Sequence, residues 1–89
     1  MAGSIKVNQQ VIQTVLNKIM SFTECLGEER DSIRRTISMA EQEGWADSSY
    51  SKFKDDFNDT EALMEQLLNN LLERNIPFLQ KILRKIEDF

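Results

Sequence analysis

Four acidic residues lie close together in the middle of the 89-residue chain and are the first candidates for chemistry. They are Asp55, Asp56, Asp59 and Glu61. Asp55 and Asp59 would lie one turn apart on a helix, as two oxygen ligands of a metal ion could. Hard cations need about six oxygen ligands, however, and neither a His nor a Gly-bearing calcium loop accompanies these acids. The sequence therefore favours a solvated acidic face near a helix N-terminus, where the helix dipole stabilises negative charge.

The rest of the composition argues against an enzyme. The chain has no His, which removes the commonest general base and the commonest metal ligand. Its single Cys, Cys25, excludes an internal disulfide and a cysteine-built zinc or iron–sulfur cluster. The net charge of −4 is unlike that of a protein held on nucleic acid by phosphate contacts. We expect no catalytic residue, no cofactor, no metal and no nucleic-acid partner.

The length corresponds to one domain, residues 1–89. The most apolar stretch, residues 63–72, contains Glu and Asn and is far shorter than the roughly 20 apolar residues of a membrane span. The first ten residues, MAGSIKVNQQ, have no apolar core of the kind that secretory leaders carry. We therefore expect neither a membrane span nor a cleavable signal peptide.

Apolar residues at helical spacing predict a first long helix over about residues 8–43. Ile12, Ile19 and Leu26 lie seven residues apart, which places them on one helical face. Asn8 is the candidate N-cap. Gly27 is the weakest position, because an interior Gly costs about 1 kcal/mol relative to Ala.

A turn is predicted over about residues 44–48. Gly44 suits the position just after a helix C-terminus, where φ is often positive. Asp47 is a candidate N-cap of the next helix, as are the two serines that follow it. Trp45 is interpreted as a hydrophobic plug that closes this end of the molecule, with a direct contact to a partner as the alternative.

A second long helix is predicted over about residues 49–89. Leu67, Leu71 and Phe78 belong to its apolar stripe, which widens toward the C-terminus. Pro77 removes a backbone hydrogen bond and crowds the carbonyl four residues earlier. We therefore expect a kink or brief break near residues 73–76, with helix on both sides.

Two long helices joined by a short turn predict an all-α, antiparallel helix-turn-helix hairpin. Such a thin hairpin rarely has enough core to stand alone, and its apolar stripe is wider than one helix–helix contact needs. We therefore expect a homodimer or heterodimer that forms a four-helix bundle. The residues predicted to form the partner interface are Ile12, Ile19, Leu26, Leu67, Leu71 and Phe78.

The layout resembles the WXG family, the early-secreted-antigen-like substrates of type VII secretion systems in Gram-positive bacteria. The resemblance covers the whole chain and is centred on the turn motif Gly44-Trp45-Ala46-Asp47. The Trp matches the family signature, whereas the Gly expected two residues later is Asp47. This departure is typical of a divergent branch, such as the small helical partners of LXG-type toxins.

The resemblance implies a secreted substrate, or an export partner and targeting chaperone, that acts without catalysis. Its partner would be another small helical protein or the N-terminal domain of a toxin, and the dimer would be recognised by the secretion motor ATPase. The protein would be cytoplasmic before export and then secreted or on the cell surface. The family's Tyr-x-x-x-Asp/Glu export signal has no match near the C-terminus, and Phe57-x-x-x-Glu61 is the related sequence.

Two alternatives without secretion also fit the residues. A cytosolic coiled-coil adaptor would explain the helical periodicity equally well and would give Trp45 no special role. An immunity-type protein would use its acidic surface to bind one basic toxin in the cytosol.

Overall fold

The computed structural model describes the backbone of residues 2–87 and the side chains of residues 9–86. In that part the chain consists of α1 (Ala2–Gln42), α2 (Ser48–Asn70), a π-helical segment (Leu71–Asn75) and α3 (Ile76–Glu87). The last three follow one another without interruption and form the second long helix. The predicted all-α helix-turn-helix hairpin is therefore confirmed, while the predicted end of the second helix at residue 89 lies outside the described residues.

The first helix begins earlier than the sequence pattern suggests. It starts at Ala2, so Asn8 lies inside α1 and is not its N-cap. No proline occurs in residues 2–42, and nothing in that stretch forces the helix to begin as late as Asn8. The interior Gly27 is accommodated in the same continuous helix.

The C-terminus of α1 ends in a glycine turn, at the position predicted. Gly44 has a φ of 108°, a value that L-residues rarely adopt. The Gly44 N–H donates to the Glu41 carbonyl at 3.1 Å, and the Trp45 N–H donates to the Ala40 carbonyl at 3.0 Å. These two bonds form a Schellman motif, which satisfies carbonyls that the end of the helix leaves unpaired.

Replacing Gly44 and replacing Gly27 should change the stability of the hairpin in opposite directions. Gly44→Ala should destabilise the hairpin by about 1–2 kcal/mol, because a Cβ strains a backbone with positive φ. Gly27→Ala should stabilise it by about 0.5–1 kcal/mol, because Ala is the better residue inside a helix. A Cβ built on Gly27 meets no atom within 4 Å, so no clash offsets this gain. Urea unfolding monitored by circular dichroism measures both changes in stability. Equal effects of the two substitutions would contradict the assignment of Gly44 to a positive-φ turn and of Gly27 to a helix interior.

The π-helical segment takes the place of the kink or break predicted beside Pro77. Pro77 is the second residue of α3, and the five residues before α3 adopt the wider π geometry. The Ile76 N–H bonds to the Leu71 carbonyl, five residues back instead of four. Because proline has no N–H and crowds the preceding turn, the helix widens just before it and then resumes.

The core of the hairpin is small and lies mainly toward its open end, where α1 packs against α3. Leu16, Ile76 and Leu83 form a buried cluster, with Ile12, Ile19 and Leu79 packed at its edge. Leu68 and Thr23 are also buried, and the Thr23 hydroxyl donates to the Ile19 carbonyl at 2.7 Å. None of the described side chains is less than 2% exposed, which is the expected result when only two helices pack together.

The hairpin is much more extended than a compact domain. Its principal extents are 64 × 18 × 15 Å. The radius of gyration is 19.6 Å, whereas a compact chain of this length has about 12 Å. The shape leaves both long faces of the hairpin open for contact with another molecule.

Candidate functional site

Six exposed apolar side chains follow a simple rule along the two long helices of the hairpin. On α1, Val11 and Val15 each come directly before an inward-facing residue, Ile12 and Leu16 respectively. Phe22, 51% exposed, precedes the buried Thr23 in the same way. One position is a rotation of about 100° around a helix, so these side chains form a row beside the inward-facing residues.

The same rule holds on the second long helix. Leu67, 42% exposed, precedes the buried Leu68, and Phe78, 63% exposed, precedes Leu79 in the core cluster. Leu63 is 66% exposed and precedes the half-buried Met64. Because the two helices run antiparallel, the same rotation on each places both rows on one side of the hairpin.

A groove near the turn supports the placement of both rows on one side of the hairpin. Ile33 and Ala40 of α1 line it together with Trp45 and with Phe53 of α2. Nine of the twelve exposed large apolar side chains among the described residues belong to this side, which we call the apolar face. The apolar face consists of Val11, Val15, Phe22, Ile33, Trp45, Phe53, Leu63, Leu67 and Phe78.

The opposite side of the hairpin, which we call the polar face, carries ion pairs between the helices. Arg30 pairs with Glu65 and Arg34 pairs with Glu61. The hydrogen bond and the charge of Glu61 raise the pKa of Arg34. Such surface pairs contribute about 0–1 kcal/mol each, so these two add little to the stability of the fold.

The turn is held by side-chain hydrogen bonds centred on Asp47. Its carboxylate caps α2 by accepting from the Tyr50 backbone N–H at 3.1 Å, so Asp47 is the N-cap among the three predicted candidates. Ser49 Oγ donates to the same carboxylate at 2.5 Å and accepts from Trp45 Nε1 at 3.1 Å. The Ser49 hydroxyl and the Tyr50 N–H lower the pKa of Asp47. Asp47 therefore stabilises α2 at neutral pH, and this contribution is lost only as acid protonates it below its ordinary pKa of 3.8.

Aromatic rings close the turn end of the hairpin. The Trp45 ring packs edge-on against Tyr50, with centroids 5.1 Å apart, and lies 5.5 Å from Phe53. Tyr50 is 7% exposed and its hydroxyl donates to Glu41 at 2.6 Å. This hydrogen bond and the burial of the ring raise the pKa of Tyr50. Trp45 itself stays 37% exposed, so it both packs on the turn and presents surface to solvent.

The residues predicted as a partner interface divide into two groups. Ile12 and Ile19 pack on the core cluster inside the hairpin, and Leu26 and Leu71 are half-buried. Leu67 and Phe78, in contrast, belong to the exposed apolar face. The heptad pattern thus mixed residues that join α1 to the second helix with residues that are free to meet a partner.

The export-signal-like pair lies on α2. Phe57 is half-buried and stacks on Phe53, with ring centroids 5.7 Å apart. Glu61 is half-buried and paired with Arg34 of α1. Both side chains are therefore engaged within the hairpin.

The sequence interpretation did not assign Val11, Ile33 or Leu63 to an interaction surface. The sequence does contain a signal for them, because each of these three residues stands next to an inward-facing or half-buried position. This surface becomes visible only when the rotation of α1 against the second long helix is known.

Over the described residues, no helix has the length and apolarity needed to cross a membrane. Within the same part of the chain, no three potential ligands come close enough together to hold a metal ion. Comparison of the chain with protein-family models, with curated proteins and with solved structures finds no match.

Proposed function

We propose that this chain acts by binding and not by catalysis, with its apolar face packed against another helix pair to complete a four-helix bundle. The observation that carries the proposal is that nine of twelve exposed large apolar side chains share one face of the hairpin. Scattered surface apolar residues are normal, whereas a continuous apolar face rimmed by polar residues is typical of an interaction site.

The surface area of the chain supports an interface of useful size. The accessible surface is 6940 Å², whereas a compact monomer of this mass exposes about 5,400 Å². The excess of about 1,500 Å² exceeds the roughly 800 Å² that each partner buries in a standard interface. Covering the apolar face would therefore give both the hairpin and its partner a shared core.

The geometry of the turn supports a WXG-like role for this binding. Trp45 follows the positive-φ Gly44 and is held by Ser49, and Asp47 caps α2 where the family has glycine. The turn is thus an aromatic end held by side-chain hydrogen bonds, with part of the Trp ring exposed. In this proposal the dimer is a substrate or export partner of a type VII secretion system, and its turn end is one of the surfaces that the secretion motor contacts.

Export of the chain from its native cell tests the secretion part of the proposal. The wild-type protein should accumulate in the culture medium, and Trp45→Ala should lose most of that export while remaining in the cell. Met39→Ala is the matched control, because Met39 is 58% exposed and lies about 120° around α1 from Ile33 of the apolar face. Immunoblots of medium and cells measure the partition. Retention of the wild-type protein in the cell, or equal export of Trp45→Ala, would favour the cytosolic adaptor instead.

A further inference from the structure

The side chains of α2 that turn toward α1 recur every seven positions. They form two interleaved series, which continue into the π-helical segment. Every buried or half-buried residue from Ser48 to Asn75 belongs to one of them. A seven-residue repeat of this kind keeps one side of a helix against its neighbour. The first series is Tyr50, Phe57, Met64 and Leu71, and the second is Glu61 and Leu68.

The same repeat continues in α3 but is displaced by one position. Seven positions after Leu71 stands Phe78, which is 63% exposed, whereas the residue packed on the core cluster is Leu79. The second series shows the same displacement, with Ile76 buried where Asn75 would continue the repeat. The second long helix therefore contains one residue more than an uninterrupted repeat needs. The inward-facing series of α3 are Ile76 and Leu83, and Leu79 and Ile86, with Ile82 half-buried beside them.

The π-helical segment lies where the extra residue has to be accommodated. Its turn closes over five residues instead of four, since the Ile76 N–H bonds to the Leu71 carbonyl. We propose that this segment is a built-in phase step, which absorbs one residue and thereby turns the apolar sides of both α2 and α3 toward α1. Pro77 removes one hydrogen bond and favours this place for the wide turn, but a proline by itself adds no residue to the repeat. The extra residue is what requires the step.

Two exposed asparagines confine the phase step to this turn. Asn69 stands seven positions before Ile76, and Asn75 stands seven positions after Leu68. If the step moved toward the turn of the hairpin, Asn69 would face α1. If it moved into α3, Asn75 would face α1. Burying an amide without a hydrogen-bond partner is costly, so either move is opposed.

The phase step also decides which side chains α3 exposes. In an uninterrupted repeat Phe78 would follow Met64 and Leu71 into the contact with α1. The step instead turns Leu79 inward and leaves Phe78 on the surface. This inference concerns the conformation of the hairpin itself, so it goes beyond the proposed function and does not depend on a partner.

A one-residue deletion in the full chain tests the phase step. Deleting Asn75 removes the extra residue and brings the series of α2 and α3 into one repeat, so the urea midpoint should equal or exceed that of the wild type. Deleting Gln80, another exposed amide, is the matched control. It leaves Leu83 only six positions after Ile76 and out of the core, which should raise the unfolding equilibrium constant at least about 30-fold. If both deletions destabilise the hairpin equally, the phase step is overturned.

Pro77→Ala tests whether the proline or the extra residue requires the wide turn. In a Cys25→Ser background at low protein concentration, Phe78→Cys should react rapidly with a thiol reagent and Leu79→Cys slowly. The same order should persist after Pro77→Ala. A wide turn caused by the proline alone would become a regular α-helical turn in that variant and rotate α3 by about 100°. A reversed order of reactivity would therefore overturn the phase step, and would leave the binding role of the hairpin to its own tests.

Discussion

Phe22→Glu should weaken self-association at least about 100-fold. Phe22 is 51% exposed and lies in the middle of the row on α1, so the hairpin itself does not need the ring for its core. A carboxylate at this position would be buried without a partner in the dimer, which costs several kcal/mol. Each 1.4 kcal/mol is about a tenfold change in affinity. Sedimentation velocity over a concentration series measures the shift from dimer to monomer.

The control for this substitution is Met39→Glu. Met39 is as exposed as Phe22, at 58%, but lies outside the apolar face. The Met39→Glu substitution adds the same charge to the same helix as Phe22→Glu does, so the effects of net charge and helix propensity are the same in both variants. An equal loss of association in both variants, or none in either, would show that the apolar face is not the interface.

Leu16→Ala should remove much of the stability of the fold. Leu16 is 4% exposed and joins α1 to Ile76 and Leu83 of α3 in the core cluster. Truncating a buried Leu to Ala costs about 2–5 kcal/mol, and a chain of this length has about 4–13 kcal/mol in total. We expect a lower urea midpoint and loss of helical circular dichroism at 37 °C.

Leu72→Ala is the matched control, since it removes the same atoms from a side chain that is 53% exposed and outside the apolar face. Substitutions at such surface positions usually change stability by no more than about 0.5 kcal/mol. Both variants must be compared at one protein concentration, because dimerisation adds to the measured stability by mass action. Equal effects at the two positions would contradict the location of the core.

The helices and the turn could be predicted because their signals are local. Helical spacing of apolar residues marks both long helices, and Gly44 and Asp47 mark the end of one and the start of the next. These residues act through their own backbone geometry and hydrogen bonds, so no tertiary information is needed. The π-helical segment was less predictable, because Pro77 disturbs a helix without fixing how the preceding turn adjusts.

The division between core and interaction surface could not be derived from the heptad pattern alone. Ile12 and Val11 are adjacent and both apolar, but Ile12 packs at the core cluster while Val11 is 53% exposed. Which of them points inward depends on the rotation of α1 against α3. That rotation is set by Leu16, Ile76 and Leu83 together, which are up to 67 residues apart in the chain. The apolar face is consequently a tertiary property, although all of its members are visible in the sequence.

The solution mass of the unmodified chain tests the central claim most directly, namely that the apolar face is covered by another helix pair in a four-helix bundle, in the simplest case that of a second copy. Sedimentation equilibrium across a concentration series should show a species of twice the chain mass of 10.4 kDa, with a monomer only at high dilution. Helical content and the thermal midpoint should fall together with dissociation. A folded monomer whose mass and thermal midpoint do not change with concentration would contradict the account.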